Sequence, residues 1–261
     1  MIDRYTLKYA ARRRMAYARP SPYGVTFVFL IISFVAQLIS ERLVLKLQEW
    51  TEYLTYLLYG RMTGGDEETY ALFKELWGRS GLIMERPVYD NSIWLPIILS
   101  LAIALLVRCV WVGYNSYCLK VSRGEETRYG ELKVGFRFVT KTFVVCVLEG
   151  VIVAALTCCL IIPGIIAAYA YRMTFFNMVD HPDWGPVRCM RESRHMMRGH
   201  KAQLFLLDLS FLGWYILCAV TMGIMYIWKL PHFTTTYALF YGELCGRSSW
   251  DFEDPKPDVV I

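Results

Sequence analysis

The chain lacks the short signatures by which common enzymes are read. No H-E-x-x-H, no G-x-S-x-G, no glycine-rich phosphate loop and no paired catalytic carboxylates occur in its 261 residues. The eight cysteines contain no C-x-x-C spacing, and Cys158 and Cys159 are adjacent, which argues against a zinc or thiol-redox motif. None of them falls in the long loop over 46–92, so a disulfide framework is not expected. The four histidines are His181, His195, His200 and His232; the pair His195 and His200 stands five apart, a poor geometry for one metal ion. No metal and no cofactor is expected. No A-x-A cleavage pattern follows Arg12, Arg13, Arg14 and Arg19, and the apolar run after them is too long for a signal peptide. The basic residues flank apolar runs, so nucleic acid is not an expected partner.

What the chain does have is apolar length. It is 56% hydrophobic with a mean hydropathy of +0.33. Soluble domains run nearer 45–50% apolar, and here the excess sits in long runs, the mark of a membrane protein. The expected fold class is all-α: a polytopic transmembrane helical bundle of about six spans with amphipathic interfacial helices. The spans are read at 24–40, 93–113, 143–160, 165–179, 204–220 and 223–241. They form a transmembrane domain over 23–245, after a basic N-terminal segment over 1–22 and before a polar tail over 246–261 that is expected to be mobile.

Several local features refine this. Within 46–92, residues 47–59 place Trp50, Tyr53, Tyr56 and Tyr59 at three-residue spacing, as a helix lying in an interface would, and 66–77 reads as a second helix. Residues 186–201 read as a basic amphipathic helix at the membrane interface, carrying Arg188, Arg191, Arg194, Arg198 and Lys201. Helix breaks are expected at Pro163, Gly164, Gly223 and Pro231. Ser210, Gly213 and Gly223 are small enough to let helices approach closely. There is also an internal echo. Residues 157–169 (TCCLIIPGIIAAY) and 221–237 (TMGIMYIWKLPHFTTTY) each give a threonine, small residues, an apolar stretch, proline and then Tyr-Ala.

Charge orients the spans. The stretches 1–22, 114–142 and 181–202 are rich in Lys and Arg, whereas 46–92 has more acids than bases. The positive-inside rule then puts the basic stretches and both termini in the cytoplasm, with 46–92 outside. Four ionisable groups fall inside predicted spans: Arg108, Glu149, Arg172 and Asp208. Each costs roughly 2.5–3.5 kcal/mol at the middle of a bilayer helix. Pairing Asp208 and Glu149 with Arg172 and Arg108 in the bundle interior would remove that cost; snorkelling of the arginines to the headgroups is the alternative.

The second half of the chain resembles the DUF975 integral membrane proteins. The resemblance rests on Ile162-Pro-Gly-Ile-Ile166, the Asp180-x-Pro182 turn and Ser193-Arg-x-Met-Met-x-Gly-His-Lys201. It continues in Phe205-x-Leu-Asp-Leu-Ser-Phe-x-Gly-Trp214, Thr221-x-Gly-Ile224, Trp228-x-x-Pro231 and Phe240-Tyr241, covering about 93–245. His232 stands where that family usually has tyrosine. The resemblance implies a multi-span protein of a bacterial cell membrane and supplies no catalytic residues.

The expected role is a non-enzymatic scaffold or accessory subunit of a membrane complex. The alternative is a transporter or lipid-handling protein using the intramembrane charges. Membrane lipids, and a membrane-protein partner or a second copy of the chain, are the expected partners. The plasma membrane is the expected location.

Overall fold

The computed structural model describes residues 4–62 and 94–247, and their regular structure is entirely helical. The order is α1 (Arg4–Tyr17), α2 (Pro22–Met62), α3 (Trp94–Arg123), a 3-10 helix (Tyr129–Phe138), α4 (Val139–Cys159) and α5 (Ile161–Tyr171). Then follow α6 (Thr174–Asp180), α7 (Pro186–Met196), α8 (Lys201–Leu209), α9 (Leu212–Val220) and α10 (Tyr226–Leu244). The predicted helix over 66–77 and most of the tail lie outside the described residues. The chain divides into two compact units, Met1–Ile32 with Val107–Ile261, and Ser33–Leu106.

Three helical stretches are long and apolar enough to cross a membrane: Pro22–Leu45, Leu95–Arg123 and Tyr129–Cys159. A fourth is formed if α8 and α9, bent by 41° at their junction, are one broken span. The helix from Pro22 does not stop for an interfacial segment at 47–59; it continues unbroken to Met62. Proline suits its first position, where the missing N–H would have had no partner. In the smaller unit, Phe34, Val35, Leu38, Leu95, Ile98 and Leu101 are all exposed, an apolar surface a soluble domain would bury.

In the larger unit α10 is the hub. Every residue from Leu230 to Tyr241 is buried. A helix sheltered on all sides belongs at the centre of its bundle. α1 packs along it. Leu7, Ala11 and Met15, spaced by four, turn one face of α1 inward, and Leu7 and Ala11 join a core with Leu204, Leu207, Phe211, Phe233 and Tyr237. The basic segment read at 1–22 thus contributes α1 to the packing of the larger unit. The amphipathic spacing was present, but the basic residues between the apolar ones masked it.

The predicted breaks need correcting. The chain leaves helix at Leu160, which is extended, and both Pro163 and Gly164 lie inside α5. Pro231 lies inside α10, which continues through it. Of the four, only Gly223 separates two helices. Gly223 N–H reaches back to Cys218 O and Met222 to Ala219 O, with both residues at positive φ, a Schellman closure that ends α9. The span read at 165–179 is likewise broken between α5 and α6 at Arg172 and Met173. The basic helix read at 186–201 ends at Met196; Arg198 lies in a turn with Gly199 at φ +81°, and Lys201 opens α8.

Close packing also falls elsewhere than expected. A side chain at Gly213 would meet nothing within 4 Å. At Gly135, in the 3-10 helix, a Cβ would lie 1.8 Å from Cys109 O, and at Gly113 only 2.2 Å from Leu132 O. These two glycines let the 3-10 helix rest on the backbone of α3.

Candidate functional site

α10 carries Tyr237 and, one turn later, Tyr241, so both hydroxyls leave the same side of the helix. Each meets a carboxylate from a different element. Tyr237 Oη donates to Asp208 Oδ1 of α8 at 2.6 Å. Tyr241 Oη donates to Asp180 Oδ2, at the end of α6, at 3.0 Å.

Asp208 is held by hydroxyls. Tyr169 Oη of α5 donates to its second oxygen at 2.9 Å. Tyr215 Oη lies 3.2 Å from Tyr237 Oη. Tyr237 has one proton and gives it to Asp208, so Tyr215 is the donor in that contact. The Arg172 guanidinium lies over the Tyr237 ring, 5.1 Å from its centroid, and is close enough to Asp208 for their charges to interact. Glu149 lies within electrostatic reach of Arg108 and Arg172. The structure thus brings the four charges singled out in the sequence into one neighbourhood. Among the described residues no direct ion pair joins any two of them, and the groups that touch Asp208 are tyrosines.

The internal echo acquires a physical meaning here. Tyr169 closes the first copy of the pattern and Tyr237 the second, and both donate to Asp208. The threonines that open the copies also behave alike. Thr157 Oγ1 donates to Val153 O at 2.7 Å and Thr221 Oγ1 to Leu217 O at 2.9 Å, each to the carbonyl one turn back.

Asp180 is held by charge. Arg123 NH2 lies 2.6 Å from Oδ1 and Arg247 NH1 3.8 Å from Oδ2, with His181 Nε2 at 4.0 Å. The carboxyl is only 8% exposed. Burial works to raise its pKa, but the hydrogen bond and charge of Arg123, with Tyr241 and Arg247, outweigh that and hold it below the usual carboxylate value. The turn that follows is fastened on both sides. His181 stacks on Trp184 at 3.9 Å, Arg188 lies 4.5 Å from the Trp184 ring, and Lys141 donates to the carbonyls of Pro182 and Trp184. Asn177 Nδ2 donates to Cys189 O at 3.2 Å, and Ser193 Oγ to Ala170 O at 2.9 Å.

Reading the sequence missed Asp180 as a site residue. Its signal was the Asp180-x-Pro182 turn, noted only as a motif. The five basic residues of the predicted interfacial helix divide differently: Arg188, Arg191, Arg194 and Arg198 are exposed, and Lys201 is half-buried. Chemically, both aspartates have each oxygen engaged by a donor from another element, an arrangement that orients carboxylates and ties helices. Among the described residues no three His, Cys, Asp or Glu side chains group as metal ligands would.

The fold and the site define an all-helical protein whose longest apolar helices are compatible with membrane insertion. Residues 150–248 match the model of DUF975, described as a protein of unknown function. The matched residues include Tyr169, Asp180, Asp208, Tyr237 and Tyr241. No curated protein and no solved structure matches the chain.

Proposed function

We propose that this is a multi-pass protein of the plasma membrane, with both termini in the cytoplasm and about six crossings, serving as a non-enzymatic scaffold or accessory subunit of a membrane complex. The observation that carries this reading is the use of two acids that are at least half-buried. Asp180 and Asp208 are both occupied in joining α3, α5, α6, α8 and α10. Three long apolar helices and the bent α8–α9 pair supply four crossings. The consecutive α5 and α6, and α10, supply the other two. α10 needs no apolar surface of its own, because its run Thr234, Thr235 and Thr236 is buried within the bundle. Exposed side chains such as Leu101, Val151, Ile161, Ile162 and Val220 would face lipid, or the partner protein or second copy that the scaffold role requires.

A second reading, transport or lipid handling, draws on the exposed Arg108 and Arg172 beside half-buried Glu149. The two are separated by purifying the full chain in a mild detergent. A stoichiometric protein partner is expected, and a solitary monomer would contradict the scaffold role. Reporter fusions test the layout: a C-terminal fluorescent protein should light up inside the cell, and a phosphatase fused there should be inactive. An active phosphatase would overturn the cytoplasmic C-terminus.

A further inference from the structure

α1 brings Lys8 and Arg12 up to α10, which carries Lys229 and His232. Lys8 Nζ lies 4.3 Å from the centroid of the Phe211 ring, and it donates to Ser210 O at 3.2 Å, at the break between α8 and α9. Phe211 in turn meets the His232 ring edge-on, with centroids 5.9 Å apart. Lys229 Nζ sits 3.4 Å above the Trp214 ring. Lys8, Arg12 and Lys229 all lie close enough for their charges to act on His232. Arg12 also acts on Lys229, and Arg4 and Arg12 on Lys8.

Among the described residues no carboxylate acts on Lys8, Lys229 or His232. Like charges held together repel, and partial burial strengthens the repulsion. His232 is 5% exposed, yet its Nδ1 is buried without a hydrogen-bond partner. Buried polar atoms are nearly always satisfied, so a lone one beside three cations marks a place for something else. Lys8 has used one of its three N–H donors on Ser210, and Lys229 offers only its charge to Trp214.

We propose that Lys8, Arg12, Lys229 and His232 form a binding site for a phosphate group, carried either by a phospholipid headgroup or by a soluble phosphate. A carboxylate would offset only one of the three cations. A phosphate offers several acceptor oxygens, suited to the forked guanidinium of Arg12 and the point charges of the lysines. Phe211 and Trp214 keep the cations together by lying under them. The site stands whether or not the protein is a scaffold.

The full chain in detergent provides the test, in two arms. In one, inorganic phosphate is titrated against thermal unfolding, with chloride at matched ionic strength as the control. In the other, native mass spectrometry compares retention of phosphatidylglycerol with that of diacylglycerol, which lacks the phosphate. Saturable protection by inorganic phosphate assigns the site to a soluble phosphate. Selective retention of phosphatidylglycerol, without protection by inorganic phosphate, assigns it to a headgroup. In either case R12Q and K229Q should weaken binding about tenfold each, the scale of one charged hydrogen bond, while K229R keeps it. Circular dichroism confirms that each variant is folded, and K8Q replaces any that is not. No response in either arm, or binding unchanged in the folded glutamine variants, overturns the site.

Discussion

Asp180 and Asp208 are both met by a tyrosine of α10, one turn apart, yet they are neutralised differently. Asp180 takes an arginine at 2.6 Å and a second at 3.8 Å. Asp208 takes two phenols, with Arg172 kept behind a tyrosine ring. Exposure of the arginines does not by itself separate the two sites, since Arg172 is exposed as well. Arg123 and Arg247 are 24% and 55% exposed, so their charges stay partly solvated while they pair. A direct pair with Asp208 would strip further solvent from the Arg172 guanidinium. Hydroxyls satisfy both oxygens of a carboxylate without that cost.

Four predictions sharpen or break the comparison. The largest effect should come from D180N, which leaves Arg123 without its counter-charge. A loss of about 3 kcal/mol is expected, read from thermal unfolding of the detergent-solubilised protein. Y237F comes next. It removes the 2.6 Å donor to Asp208 and the acceptor for Tyr215, and should cost about 2 kcal/mol in the same assay. D208N should be milder than D180N, about 1 kcal/mol, because the amide oxygen still accepts from one tyrosine and the other hydroxyl can turn to accept. If D208N proves as costly as D180N, the two sites do not differ as described. The smallest effect is in acid. Asp180 titrates lower in the folded chain than in the unfolded one. Its contribution is complete above the unfolded carboxylate pKa of about 3.9 and is lost as pH falls through the lower folded value. Unfolding curves between pH 5 and pH 2 should therefore be less steeply pH-dependent in D180N than in the parent.

Much of this was legible in the chain before its structure. Long apolar runs set the helices at 22–45, 95–123 and 139–159 close to the spans expected from composition. The repeated Tyr-Ala at 169 and 237 marked the two tyrosines, although not their meeting at Asp208. What stayed hidden depends on contacts distant in sequence. The approach of Gly135 to Cys109 requires knowing that the 3-10 helix folds back on α3. Asp180 gains its arginines from residues 57 and 67 positions away, Arg123 and Arg247. Pro231 looked like a break because a proline removes one backbone donor. In a helix buried along its length, surrounding packing outweighs one lost bond.

The most direct measurement of the account is a double-mutant cycle on Asp208 and Tyr237. If the phenol holds the carboxylate as described, Y237F should cost about 1 kcal/mol less in a D208N background than in the parent chain. Strictly additive losses would contradict a hub built from tyrosines on carboxylates.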